Sequence, residues 1–184
     1  MMKKNNLPIV LKPLTESFIR EASQLYESSF PYAERRPTQQ WLLKYQSSDI
    51  FKIDAIIVNG EFNGFISYWL MDSFIYVEHF ATMPQCRGMG IGGCVIELFR
   101  NKVKCPIVLE VEPPADDVSR RRIGFYKRHG FYQLSQAYMQ PSYHEGGSSF
   151  PLQIMCTDVE YAVQHFSQIV QSIYRHVYGV VGRS

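Results

Sequence analysis

Apolar residues recur at helical spacing through TESFIREASQLYESSF, where Phe18, Ile19, Ala22, Leu25 and Tyr26 fall on one face; the pattern predicts a first helix with Thr15 as its N-cap. Pro31 and Pro37 then bracket a loop, and TQQWLLKYQ predicts a short second helix capped by Thr38. FKIDAIIV, FNGFISYWLM and FIYVEHFAT are rich in β-branched and aromatic residues and are joined by the turn-like NGEFNG and MDS, which predicts three strands in an antiparallel meander. From Ile91 to about Lys102 the period returns to that of a helix, with Ile91, Cys94, Val95, Leu98 and Phe99 as its stripe. PIVLEV is apolar without alternation, as expected of a strand covered on both faces beside a parallel neighbour, and the preceding helix supplies the crossover. SRRRIGFYKRHG predicts the next helix, with Ser119 as N-cap and Gly130 as stop. FYQLSQAYM and PLQIMC predict two further strands, separated by the loop QPSYHEGGSSF. The chain then enters DVEYAVQHFSQIVQSIYRHVY, a long amphipathic helix with Val159, Ala162, Val163, Phe166, Ile169, Val170, Ile173 and Val177 along one side.

Without an internal repeat or a low-complexity linker, the 184 residues suit one domain (1–184), of which 158–178 is a helical extension. A formal charge of +2 does not mark nucleic acid or an anionic membrane as a whole-molecule partner. Cys86, Cys94, Cys105 and Cys156 form no C-x-x-C pair and have no His at ligand spacing, so no metal is expected and free thiols in a reducing cytoplasm fit. The apolar run of MMKKNNLPIVLKP stops at Lys12, short of the ~7 residues of a secretory core. FISYWLMDSFIYV is broken by Asp72 and falls below the ~18 residues that span a bilayer. A cytoplasmic, soluble protein is the expectation.

Candidate chemistry concentrates in ATMPQCRGMGIGGCVIELF. Four glycines ahead of a helical pattern let backbone N–H groups approach a ligand, most often a phosphate at the helix N-terminus. Gly88, Gly90 and Gly93 spell G-x-G-x-x-G, with Glu110 about twenty residues on, a dinucleotide fingerprint when taken alone. That fingerprint belongs directly after the first strand of a parallel sheet, whereas here an antiparallel meander and Pro84 precede it. Read in the other register, Arg87-Gly88-Met89-Gly90-Ile91-Gly92 resembles the R/Q-x-x-G-x-G/A signature of the GNAT superfamily of N-acetyltransferases. IGFYKRHGF, Ile123 to Phe131, is similar to that family's helix-to-strand block ending in F/L-Y-x-x-x-G-F. The two blocks stand in the family's order, and the resemblance covers roughly Ile9 to Cys156.

The resemblance implies an α/β GNAT acyltransferase fold: a mixed, mostly antiparallel sheet of about six to seven strands flanked by helices, here with an extra C-terminal helix. It implies acetyl-coenzyme A as co-substrate, a primary amine as acceptor and direct attack without a covalent enzyme intermediate. By the same resemblance Arg87, Gly88, Met89, Gly90, Ile91, Gly92 and Gly93 hold the pyrophosphate, and Phe80, Ala81 and Thr82 pair with the pantetheine. Tyr126 resembles the family tyrosine that protonates the departing sulfur. Ser119 stands where the family often carries an asparagine that contacts the cofactor. The final helix lies outside the usual core, where it covers the site or makes a homodimer contact. A non-catalytic acyl-coenzyme A binding module and, from the other glycine register, a dinucleotide-dependent oxidoreductase are the alternatives.

Glu110 in VLEV and Glu78 in YVEHF are carboxylates inside apolar strands, costly unless partnered or useful, and are the candidate bases beside structural salt bridges. Glu110 also matches a base position of some protein N-terminal acetyltransferases of the family. Regular alternation places His79 on the opposite face from Glu78, packed rather than catalytic. His144 reads as a solvated loop residue on the acceptor side. Arg120, Arg121 and Arg122 crowd a helix start that disfavours positive charge, so each needs an anion: a cofactor phosphate, an acidic acceptor, or Asp116 and Asp117 just upstream. FPYAERRPTQQW and QPSYHEGGSSF, with Tyr32, Tyr138 and Tyr143 as an aromatic wall, are expected to line an acceptor pocket whose specificity the sequence does not spell.

Overall fold

In the computed structural model, which describes residues 8–180, one sheet runs in the order β1-β2-β3-β4-β5-β8-β6, with β7 paired to the side of β8. β1 (Ile9–Pro13) is an edge strand that the apolar pattern does not announce, because only three of its five residues are apolar. It takes up Ile9 to Leu11 of the apolar run considered for a leader; residues 1–7 of that segment lie outside those described. β2 (Phe51–Val58), β3 (Glu61–Leu70) and β4 (Ile75–Thr82) form the expected meander. The first turn is only Asn59 and Gly60, both at positive φ (53° and 85°), as a two-residue hairpin with the right twist requires. Glu61, expected only in the turn, is therefore already strand.

β5 (Ile107–Val111) runs parallel to β4, and every other pairing is antiparallel. The segment expected as one strand after Gly130 divides into β6 (Tyr132–Gln133) and β7 (Tyr138–Gln140), each paired with β8 (Phe150–Cys156), so the sheet has eight strands rather than six or seven.

One face of the sheet is covered by α1 (Ile19–Ser29), α2 (Thr38–Ser47) and the C-terminal helices, around a core in which Tyr26 stacks on Trp41 at 4.3 Å. The other face is covered by α3 (Ile91–Lys102) and α4 (Asp117–Arg128), whose Ile96, Phe99, Ile123 and Tyr126 pack on Val77, Leu109 and Val111. Along α3 the buried stripe is Ile91, Val95, Ile96 and Phe99; Cys94 and Leu98, expected on it, are exposed.

Helix starts depart from the expected caps in three places. Thr15 precedes a single 3₁₀ turn and makes no capping bond, and Thr38 lies inside α2, where its hydroxyl donates to Glu27 at 2.5 Å. At α4 the N-cap is Asp116, and Ser119 is the third helical residue, closing a reciprocal capping box with it. The C-terminal helix is not continuous. It breaks at His165 into α5 (Val159–Gln164) and α6 (Phe166–Ile173), then winds into a π turn over Tyr174–Tyr178. The break rotates the buried side, leaving Ala162, Ile169, Ile173 and Val177 in the core and Val159 and Val163 exposed.

Candidate active site

β4 and β5 are hydrogen-bonded only as far as Val77 and Leu109. Beyond that pair β5 keeps only β8, its partner from Val108 onward, with Glu110 opposite Ile154, while β4 continues along β3 alone. The two central strands thus fork, and the first residues past the fork are Glu78 and Glu110.

A bulge sharpens the fork. In the β3–β4 register Ser67 pairs with His79 and Tyr68 with Val77, so Glu78 is an extra residue that interrupts the alternation of faces. The expectation that His79 opposes Glu78 across the sheet is corrected here. Both lie on the α1 face: the His79 ring meets the Tyr26 and Phe30 rings at 5.0 and 4.5 Å, and the Glu78 carboxylate meets Arg36, Trp69 and Tyr143.

The two carboxylates have different surroundings. Glu78 is ion-paired with Arg36 at 3.0 Å and accepts hydrogen bonds from the Trp69 indole and the Tyr143 hydroxyl, each at 2.9 Å, so Oε1 is engaged by Arg36 and Tyr143 and Oε2 by Trp69. Glu110 has no cation partner among the described residues and accepts from the hydroxyls of Tyr138 and, at 3.0 Å, Tyr178. Burial raises its carboxyl from 4.5 to about 7, and the phenol hydrogen bonds offset only part of that effect. A carboxylate poised near neutrality without a counter-cation is suited to accept a proton; one locked to a guanidinium is suited to hold a position.

His79 is 3% exposed, and burial lowers its basicity. Its Nε2 faces the Glu34 carbonyl oxygen at 3.1 Å; since a carbonyl only accepts, the neutral ring carries its proton there. Nδ1 is then a bare acceptor, without a partner among the described residues and 4.0 Å from Glu78 Oε2.

On the other side of the fork, the turn before α3 has Gly88 and Gly90 at φ of 78° and 81°, conformations that leave their amides presented ahead of the helix. The first helical bond there runs from Cys94 N–H to Gly90 O (3.2 Å), so the amides of Ile91, Gly92 and Gly93 precede the helical ladder. Gly93 is required for packing, because a Cβ on it would come within 2.8 Å of the His129 ring. Gly92 has only ordinary contacts with Phe125 and Phe80. Arg87 and Met89 are exposed at the mouth of this cradle. Phe80, Ala81 and Thr82 pair with β3 on one side and, past the fork, with no strand on the other. Amides for a diphosphate and an open strand edge for an extended amide-bearing arm fit acetyl-coenzyme A.

Two residues expected at the cofactor stand differently. Ser119 is 3% exposed, and its hydroxyl accepts from the Asp116 amide and donates back to Asp116, which commits it to the helix cap. Tyr126 lies on the α3/α4 face, opposite Glu110, between the rings of Phe125 and Phe131 at 5.2 and 5.4 Å. Burial raises its phenol to about 12, so it is a proton-bearing donor throughout the neutral range.

A cleft of about 80 Å³ opens on the Glu110 side, lined from the loop after α1 by Glu34, from β4 and β5 by Glu78, His79 and Glu110, just past β5 by Glu112, and across them by Tyr143. The two loops expected at the acceptor do meet there. His144 is not simply solvated: it stacks on Tyr32 at 4.0 Å and bonds the Tyr32 carbonyl oxygen at 2.8 Å. Of the arginine cluster, Arg120 is neutralised by Asp117 (2.8 Å) and Arg122 by Glu112 (2.5 Å). The residues that sequence reasoning missed are Arg36, Trp69 and Tyr178. The two arginines of ERRP look alike, and Tyr178 is distant in sequence from all it touches.

A profile of the acetyltransferase (GNAT) family matches residues 15–131. The chain belongs to that family of acetyltransferases, whose members take acetyl-coenzyme A as co-substrate and pass the acetyl group to an acceptor. A putative acetyltransferase of the GNAT family from Bacteroides thetaiotaomicron is 36% identical and superposes with a TM-score of 0.85 over 93% of this chain and 99% of that one. The putative acetyltransferase YjbC of Bacillus subtilis (strain 168) is 36% identical over 110 residues, 55% of this chain, which spans about half (52%) of that curated relative. Arabidopsis thaliana Naa50, solved in complex with the bisubstrate analogue CoA-Ac-MVNAL, shares the fold at 17% identity and a TM-score of 0.60, over 82% of this chain and 98% of that one. The mostly antiparallel sheet also removes the dinucleotide alternative, which needs a parallel, doubly wound one. Among the described residues no helix is long and apolar enough to cross a membrane.

Proposed function

We propose that the protein transfers the acetyl group of acetyl-coenzyme A to a primary amine by direct attack of the amine nitrogen. The observation that carries this reading is the pair of carboxylates at the β4–β5 fork, one held by a guanidinium and one, Glu110, poised near pH 7 without a cation. When bound, acetyl-coenzyme A supplies an activated thioester.

The residues of the chain then divide the work. The Gly88-to-Gly93 amides and Arg87 hold the diphosphate, and the free edge of Phe80 to Thr82 aligns the arm so that the thioester enters the fork from the α3/α4 side. Glu110, on the other side, takes a proton from the amine as the new C–N bond forms. Glu78, locked to Arg36, Trp69 and Tyr143, positions the wall of the cleft rather than moving a proton. As the C–S bond breaks, Tyr126 donates a hydrogen bond to the departing sulfur. A phenol near 12 is less acidic than a free thiol near 8.5, so it stabilises the thiolate by hydrogen bonding rather than by full transfer.

Incubation with acetyl-coenzyme A and a broad amine panel, with thiol release as the readout, tests the reading. Turnover with an amine that is lost in Glu110→Gln supports it. Binding of acetyl-coenzyme A without turnover of any amine establishes the non-catalytic module instead.

A further inference from the structure

Accepting the acetyltransferase reading above, we propose that the acceptor is a slender, unbranched alkylamine carrying a second positive charge, of the diamine and polyamine class. Its reacting amine reaches Glu110 and its second cation lies against Glu34 and Glu112.

The first argument is charge. Four carboxylates, those of Glu34, Glu78, Glu110 and Glu112, line the cleft with a single guanidinium, that of Arg122, in a chain whose formal charge is +2. Arg36 neutralises Glu78 from behind and Arg122 pairs with Glu112, which leaves Glu110 at the floor and Glu34 nearer the mouth without cation partners among the described residues. Burial, then the facing Glu112, raises the Glu34 carboxyl, and Arg122 offsets only part of that effect.

Hydrogen-bonding capacity is the second argument, and it is independent of the first. His79, nine-tenths buried in the cleft wall, has committed its proton to the Glu34 carbonyl oxygen, so its Nδ1 is a lone pair without a donor. Nδ1, 4.0 Å from a Glu78 Oε2 that already accepts from Trp69, is thus open to an N–H donor from whatever fills the cleft, and an amine supplies one. An occupant without an N–H or O–H group leaves Nδ1 unsatisfied.

Shape is the third. About 80 Å³ between Phe30, Tyr76, Tyr143 and Leu152 suits an alkyl chain with apolar and aromatic walls.

Hexamethylenediamine and hexylamine, matched in chain length and differing by one charge, make the test. With the intact protein at low ionic strength, kcat/KM for the diamine is expected to exceed that for the monoamine by about 10-fold, which corresponds to about 1.4 kcal/mol. The ratio should fall toward unity in Glu34→Gln and with added salt, and should rise in Arg122→Gln, which removes the one cation lining the cleft. Opposite movements of the two variants cannot come from a general loss of folding. Equal use of both amines by the unaltered protein, or a ratio that neither variant moves, overturns the proposal. If acetyl-coenzyme A is used with aromatic, branched or ring-bearing amines and not with the diamine, this inference fails while the acetyltransferase reading stands. If no amine of any class is acetylated, both fail.

Discussion

Replacing Glu110 by glutamine should make the protein more stable and much less active, and the two effects should share one pH dependence. The carboxyl titrates near 7 in the folded chain against 4.5 unexposed to burial. Between those values the folded state binds the proton more tightly than the unfolded state. Stability is therefore fully present below about pH 4.5 and is lost as pH rises through 7. A shift of that size corresponds to about 3 kcal/mol, the cost of keeping an ionised Glu110 in the fork at pH 8. Glutamine has the same shape and carries no charge at any pH; its amide oxygen keeps the hydrogen bond from one of the two phenols, which sit on different carboxylate oxygens, and its NH2 faces the other.

Thermal melts of the two proteins across pH 4 to 8 read the effect directly. For a domain of this size about 3 kcal/mol amounts to a rise of roughly 6 to 12 °C at pH 8, shrinking to nothing near pH 4. In parallel, turnover of the unaltered protein should fall about tenfold per pH unit below 7, and that of Glu110→Gln should be lower by about 100- to 10,000-fold. A melting difference that does not change with pH, or a less stable variant at pH 8, refutes the reasoning. It would mean that the phenol hydrogen bonds outweigh burial and that Glu110 is not poised near neutrality.

Acetyl-coenzyme A at about 100 times its dissociation constant should stabilise the fold by ~2.7 kcal/mol, and Gly90→Val, which forces a β-branched residue to φ of 81°, should remove most of that gain; a surviving melting shift moves the diphosphate elsewhere. Tyr126→Phe should lower kcat by about 10- to 1000-fold with little change in coenzyme A affinity by calorimetry, and equal losses in both would make Tyr126 a packing residue. Tyr178→Phe removes one hydrogen bond that holds the Glu110 carboxyl down, so the acidic limb of the pH–rate profile should move to higher pH, and an unmoved limb denies Tyr178 that role. Gly93→Ala should destabilise through the His129 contact, whereas Gly92→Ala should be tolerated by differential scanning calorimetry.

The amino-acid sequence discloses the elements whose signals are local. The meander, the glycine turn into α3 and the crossover to PIVLEV all rest on periodicity or on residues with special φ, and all are present. β1 is too short and too exposed to carry a period. The continuous C-terminal helix fails at His165 because an unbroken apolar pattern does not report a rotation of the buried side. Glu110 and Glu78 stand out as carboxylates in apolar strands, but their division of roles does not, since it depends on Arg36 reaching one and not the other. His79 is misplaced by alternation for an equally physical reason: a bulge is one extra residue in a register, and a register is a relation between two strands.

What joins these separate features is the last turn of the described chain. The Val177 carbonyl oxygen accepts from Arg36 at 2.7 Å, and Arg36 in turn holds Glu78. One residue on, Tyr178 donates to Glu110 and its ring packs, tilted, at 4.9 Å from that of Tyr143, which donates to Glu78. Tyr174, one turn earlier, donates to the Met139 carbonyl oxygen on β7, beside Tyr138, the other phenol on Glu110. The π turn over Tyr174–Tyr178 widens the winding, and this short stretch reaches both carboxylates while Val177 enters the core. The helical extension is thus bonded directly to the partners that make one carboxylate a fixed anion pair and leave the other beside phenols alone. Loss of the segment would expose Glu110 to water and take away an acceptor from Arg36. The poised carboxyl, and with it the proposed base, depends on residues more than sixty positions away in the chain.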